Sequence, residues 1–199
     1  LGEGGFAYVL SKHEIQSVAD LRAHKVWIPN NDPGAQLVVE TYGVNAIPLN
    51  LSDVLAALQT GLVDTVATSP IGAIALQWHT QVEHMNNVPI MYFYAVLALD
   101  KKVFYKLSKE DQALVRRVMG EAFDTIDKQN RADNVAAQEA LMKQGINSVE
   151  VTDAQREEWY QLAAEAEQNL VKKGILTREE LDQLDGYLNE FRAGGAGSH

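Results

Sequence analysis

Over its first hundred residues the chain alternates short apolar runs with amphipathic ones, and then the period changes. Residues 6–11, FAYVLS, carry β-branched and aromatic side chains and read as a strand. In QSVADLRAH, Ser17 stands three residues before Asp20, the spacing of a reciprocal N-terminal cap, which predicts a one-turn helix. KVWIP is a short buried strand. Pro33 opens a helix that runs through GAQLVVETYG to a stop at Gly43. AIPLNL is extended. SDVLAALQTG is a helix that begins near Ser52 or Asp53 and ends before Gly61. VDTVAT is a strand, and SPIGAIALQWHT opens a helix with Ser69 as cap and Pro70 in its first turn. PIMYFYAVLALD reads as one strand of twelve residues.

Strands that alternate with helices predict a mostly parallel sheet covered on both faces. From Lys101 the pattern is helical. A long segment from Ser108 to about Gln144 carries Leu114, Val118, Phe123 and Ile126 at helical spacing. A second helix spans 153–173 and stops at Gly174. A third starts at Thr177, with Glu180 three residues on, and reaches Arg192. The fold class is therefore α/β, a mostly parallel sheet with flanking helices followed by long C-terminal helices. The Gly/Ala/Ser-rich end, AGGAGSH, reads as a disordered tail in which His199 carries no functional meaning.

Composition narrows the function. A net charge of -10 argues against nucleic acid and against anionic membrane surfaces, both of which attract basic patches. The absence of cysteine excludes disulfides and thiolate metal sites. No apolar run reaches bilayer length, and LGEGGFAYVL lacks the basic region of a signal peptide.

Catalytic and metal patterns find little support. There is no Gly-x-Ser-x-Gly elbow, and Ser69 and His79 are ten residues apart. His79 and His84 are five apart and do not stack on one helix face. The glycines of GEGG precede a strand, whereas a dinucleotide loop follows one. No cofactor and no metal are predicted.

What remains are the ends of strands, where open α/β sheets bind ligands. They are WIPNND with Asn30 and Asn31, PLNL around Asn50 and Leu51, and DTVATSP with Thr68 and Ser69 before a helix whose free N–H groups favour an anion. Small polar groups at three strand ends, without an acid–base pair, suit a binding cleft. Asn30, Asn31 and Asp32 also read as an Asx turn and helix cap, the reading that Asn31 and Asp32 favour. Trp78, Tyr92, Phe93 and Tyr94 fit a core. Strand alternation puts Tyr92 and Tyr94 on one face, where they can line a pocket or bond buried carbonyls.

SVADLRAHKVWIP, YGVNAIPLNLSDVLAALQTGLVDTVATSP and LSKEDQALVRRVMGEAF resemble the substrate-binding proteins of TRAP transporters, the DctP type. The block ALQTGLVDT is the most specific piece. The resemblance implies a non-catalytic periplasmic receptor with its signal peptide removed. Such a receptor catches a small organic acid and hands it to membrane permease subunits driven by an ion gradient. It also implies two lobes that close by hinge motion, of which this chain resembles only the later part. On that analogy 1–16 is a hinge strand, 17–95 a ligand-binding lobe, 96–192 a return strand with C-terminal helices, and 193–199 a tail. Apolar surface meant for a missing first lobe would favour homo-oligomers or domain swapping.

One position departs from the family. Trp27 stands where the family keeps an arginine that pairs with a ligand carboxylate, and an indole offers one donor and an apolar face instead. Asn30, Leu51 and Thr68 or Ser69 match the family's cleft loops. The expected ligand-binding set is therefore Trp27 as a wall, with Asn30, Asn31, Leu51, Thr68, Ser69, Tyr92 and Tyr94 around it. The rival expectation is an α/β scaffold that acts through protein–protein assembly.

Overall fold

The computed structural model describes residues 2–195. In chain order the elements are β1 (Gly2–Ser11), α1 (Val18–Arg22), β2 (Lys25–Pro29), α2 (Pro33–Tyr42), β3 (Asn45–Leu49), α3 (Val54–Thr60), β4 (Thr65–Thr68), α4 (Pro70–Ala75), β5 (His84–Asn86), β6 (Met91–Ala95), α5 (Lys101–Phe104), α6 (Lys109–Lys143), β7 (Asn147–Val149), α7 (Asp153–Lys172) and α8 (Arg178–Gly195). The fold is α/β with long C-terminal helices, as the alternation predicts. The helix signals are local. Ser17 and Asp20 cap α1 reciprocally, Asp32 caps α2, and Gly43 and Gly61 end α2 and α3 in the left-handed conformation.

The described residues form two compact units interleaved along the chain, 2–14 with Thr65–Glu150 and Ile15–Asp64 with 151–195. In the first unit β1 runs antiparallel to β4, β5 and β6, so those three share a direction, and β7 lies parallel to β5. Ser11 and Thr65, side by side in register, share a buried hydroxyl–hydroxyl bond of 2.9 Å. Leu10, Val66, Trp78, Met85 and Leu141 are among its fully buried side chains. Helix α6 packs on β1 and on α4.

In the second unit β2 and β3 are parallel, with Trp27 opposite Ile47. Helix α7 packs against α2. The Tyr42 hydroxyl donates to the Trp159 carbonyl at 3.0 Å, and Asn169 donates to Thr41 at 3.1 Å. Val18, Val54, Leu58 and Leu181 are buried here.

Four readings change. The glycines before Phe6 are part of β1, which is bulged between Glu3 and Gly5. The expected twelve-residue strand is five residues long, Met91–Ala95, and pairs antiparallel with β1. Strands β5 and β7, three residues each, are too short to show a period. Helix α8 continues through Gly195, so the first three residues of the predicted tail are helical. Residues 196–199, including His199, lie outside the described residues. Leu114, Val118 and Ile126 do lie on one helix, yet each stays close to half exposed.

Candidate functional site

In the unit that holds β2 and β3, Trp27 is buried, and its Nε1–H donates to the Leu49 carbonyl at 3.1 Å. The indole's one donor is therefore used inside its own sheet, and what the residue can offer a ligand is its ring. The loops after the two parallel strands are tied together. Asn30 donates its backbone N–H to the Leu49 carbonyl at 3.2 Å and its side-chain amide to Asn50 at 3.2 Å. Asn50 in turn donates to Asp53 at 3.3 Å. Leu51, the next residue along, is 54% exposed. Asn31 sits at φ 58°, a left-handed conformation that asparagine tolerates better than most residues. Asp32 accepts from the Ala35 N–H at 2.9 Å and so caps α2.

In the other unit Thr68 and Ser69 close β4, and both are buried. Ser69 accepts from the Gly72 N–H at 3.3 Å as the cap of α4. A Cβ on Gly72 would lie 2.5 Å from the Thr68 hydroxyl, so this close approach requires glycine. His79 stays local, its Nδ1 3.1 Å from the Ala73 carbonyl. Trp78 is core.

Tyr92 and Tyr94 share a face of β6 with ring centroids 5.0 Å apart, and Phe6 meets Tyr92 edge-on at 4.8 Å. The Tyr92 hydroxyl donates to Glu3 Oε2 at 3.1 Å. Arg131 forks onto the same carboxylate, Nε to Oε2 at 2.6 Å and Nη2 to Oε1 at 2.5 Å. The guanidinium bond holds the Glu3 carboxyl below its ordinary range, and burial together with Glu3 pushes the Tyr92 phenol up. Around this cluster lies a cavity of about 230 Å³ whose walls include Phe6, Tyr8, Pro70, Asn130 and Asn134.

Sequence reasoning missed Glu3, Asn130, Arg131 and Asn134. These α6 residues, together with Asp127, act on the first strand. Asp127 accepts from the Glu3 N–H at 2.7 Å, Asn130 donates to the Glu3 carbonyl at 2.8 Å, and Asn134 donates to the Gly4 carbonyl at 3.3 Å. The backbone there comes so close that a Cβ on Gly5, at φ 87°, would fall 2.5 Å from the Asn134 amide. A signal existed in the chain. Asp127, Asn130, Arg131 and Asn134 follow i, i+3, i+4, i+7, a polar stripe where a packed helix ordinarily presents an apolar one.

The expected ligand-binding residues thus fall into two sets. Trp27, Asn30, Asn31 and Leu51 lie in one unit, Thr68, Ser69, Tyr92 and Tyr94 in the other. Within the first, Asn50 links Asn30 to the loop that carries Leu51. Within the second, Tyr92 and Pro70, the residue after Ser69, line one cavity.

Comparison of the chain with curated proteins finds no match. Solved structures with the same fold include three TRAP periplasmic solute binding proteins. The one from Sulfitobacter sp. NAS-14.1, with bound β-D-galacturonate, superposes at TM-score 0.81 with 19% identity, covering 91% of this chain and 58% of that one. The one from Ralstonia eutropha H16, with bound (S)-2-acetolactate, gives 0.87 at 16% identity, covering 95% and 61%. The one from Fusobacterium nucleatum, with bound sn-glycerol-3-phosphate, gives 0.87 at 17% identity, covering 98% and 61%. The chain therefore spans less than two thirds of the length of these proteins. The family model DctP, described as bacterial extracellular solute-binding protein, family 7, matches residues 1–173. Since that match takes in most of the sequence, the chain belongs to the DctP family of bacterial extracellular solute-binding proteins.

Proposed function

We propose that this chain is the ligand-capturing part of a periplasmic TRAP solute-binding protein, which takes up a small organic acid and delivers it to membrane permease subunits without catalysis. The observation that carries the reading is the family match over residues 1–173. The similar structures add support, because galacturonate, 2-acetolactate and glycerol-3-phosphate are all small oxygen-rich anions. Trp27 contributes an apolar wall. Asn30, Asn31, Ser69, Thr68, Tyr92 and Tyr94 supply polar or aromatic contacts, and Leu51 an exposed apolar one. Strand β1 serves as the hinge strand. A thermal-shift screen with these three anions tests the reading. At least one should raise the melting temperature in proportion to the logarithm of its concentration. No response to any of them, with the fold intact by circular dichroism, overturns it.

A further partner is proposed from the surface. Val96, Leu97, Leu99, Val103 and Tyr105 join Leu114 and Val118 as exposed apolar residues of one unit. So much apolar surface marks an interaction face. We infer that the 199-residue chain, expressed alone, self-associates through it as a homo-oligomer or by domain swapping. Sedimentation equilibrium should then show association that Leu114→Gln with Val118→Gln weakens. A monomer at all concentrations contradicts it.

A further inference from the structure

Glu3 already shows how a carboxylate sits in the first unit's cavity. Its two oxygens take three donors, the Nε and Nη2 of Arg131 and the hydroxyl of Tyr92, at 2.6, 2.5 and 3.1 Å. A planar fork plus a phenol is the arrangement that recognises carboxylates bidentately. Of the described residues lining the cavity, Glu3 and Arg131 alone carry charge. The rest of the wall is aromatic or neutral, with Phe6 and Tyr92 edge to face.

The Glu3 side chain is not needed to fix its own backbone. The Glu3 N–H is held by Asp127 and the Glu3 carbonyl by Asn130. Glu3 can therefore rotate its carboxylate out of the cavity while β1 stays attached to α6. The Arg131 end of the pair is open to water, its side chain 70% exposed against 22% for Glu3, so a ligand carboxylate can approach the guanidinium from solvent. Trp27, whose N–H is already bound to Leu49, supplies no cation.

We propose that Arg131 and Tyr92 form a receptor for a small carboxylate ligand, and that Glu3 is its built-in competitor, which occupies the receptor until a ligand carboxylate displaces it. This rests on the reading of the chain as an organic-acid binder. The ligand class is a compact acid of few carbons, bearing hydroxyl or keto oxygens that Asn130, Asn134 or Gln138 can reach, because about 230 Å³ leaves no room for a large one. Displacement leaves the charge balance of the cavity unchanged, since one carboxylate replaces another on the same guanidinium.

The test uses malonate as probe, titrated by calorimetry into the 199-residue chain and its variants at low salt. Glu3→Gln should bind malonate at least about tenfold more tightly than the parent chain, because the competitor is gone. Adding Arg131→Lys to Glu3→Gln should remove most of that gain although the charge is kept, since an ammonium cannot fork. Adding Tyr92→Phe should remove a smaller part. An unchanged affinity in Glu3→Gln overturns the proposal, and so does an Arg131→Lys that binds as well as arginine. Failure here is distinguishable from failure of the functional reading. If galacturonate, acetolactate or glycerol-3-phosphate stabilises the parent chain and Arg131→Lys leaves that unaffected, only the receptor is wrong. If none of them binds and Glu3→Gln does not take malonate, both are.

Discussion

The Nε1–H of Trp27 and the carbonyl of Leu49 are 3.1 Å apart, linking two adjacent parallel strands through a side chain. The same carbonyl also accepts the Asn30 N–H. Trp27→Phe keeps a buried ring but removes the bond and part of the indole's volume, so it should lower unfolding free energy by about 1–2 kcal/mol. Trp27→Ala also opens a cavity and should cost about 3–5 kcal/mol. Urea denaturation of the three chains checks the ordering. A Phe variant as unstable as the Ala variant would show that the bond, not the packing, is what matters.

The contact between Gly72 and Thr68 gives a second test. A methyl group at 72 lands 2.5 Å from the hydroxyl of the buried Thr68, so one of the two must shift within the core. Gly72→Ala should therefore destabilise by about 1–3 kcal/mol despite the better helix propensity of alanine. The penalty should shrink in a Thr68→Ala background, where the clashing hydroxyl is missing. Equal penalties in both backgrounds would rule out the steric account.

Much of this was legible along the chain, and the reason is locality. Ser17 with Asp20, Asp32 before Pro33, and Ser69 before Pro70 each signal a helix start within four residues, and each is found as a cap. The Glu3–Arg131 pair was not legible, because it joins residues 128 positions apart. Nor was the length of β6, because the apolar run continues through Val96 and Leu97 while the strand ends at Ala95. The stripe on α6 could have been read as polar contacts aimed at a neighbour, but the sequence does not say that the neighbour is β1. That the one donor of Trp27 is spent on Leu49 was likewise not legible, because the bond crosses to a neighbouring strand 22 residues away.

The Glu3 carboxyl should titrate below ordinary glutamates, because Arg131 and Tyr92 donate to it. With a lowered folded-state value, its contribution to stability is present above the ordinary carboxyl range. It is lost as pH falls through the lowered value. Arg131→Gln should return the titration toward normal, read from the Glu3 carboxyl carbon by NMR. A midpoint that does not move in that variant would show that the pair seen here does not persist in solution.

The Tyr42 hydroxyl donates to the Trp159 carbonyl at 3.0 Å, and burial, helped by the charge of Glu167, pushes its pKa up to about 12. Only the protonated phenol can donate, so the bond favours the neutral form. An acid whose folded value is raised contributes stability that is complete below its unfolded value, near 10. Above that pH the unfolded chain releases the proton first, so stability falls as pH climbs toward 12. Tyr42→Phe lacks both the bond and the titration. At pH 7 it should be less stable than the parent by about 1 kcal/mol, and the difference should narrow between pH 10 and 11 because only the parent is losing stability at this residue. Other tyrosines titrate in both chains, so the difference between the two urea curves isolates position 42. A gap that stays constant across that range would mean that the Tyr42 phenol ionises as readily folded as unfolded, and that the contact between α2 and α7 is not closed around it.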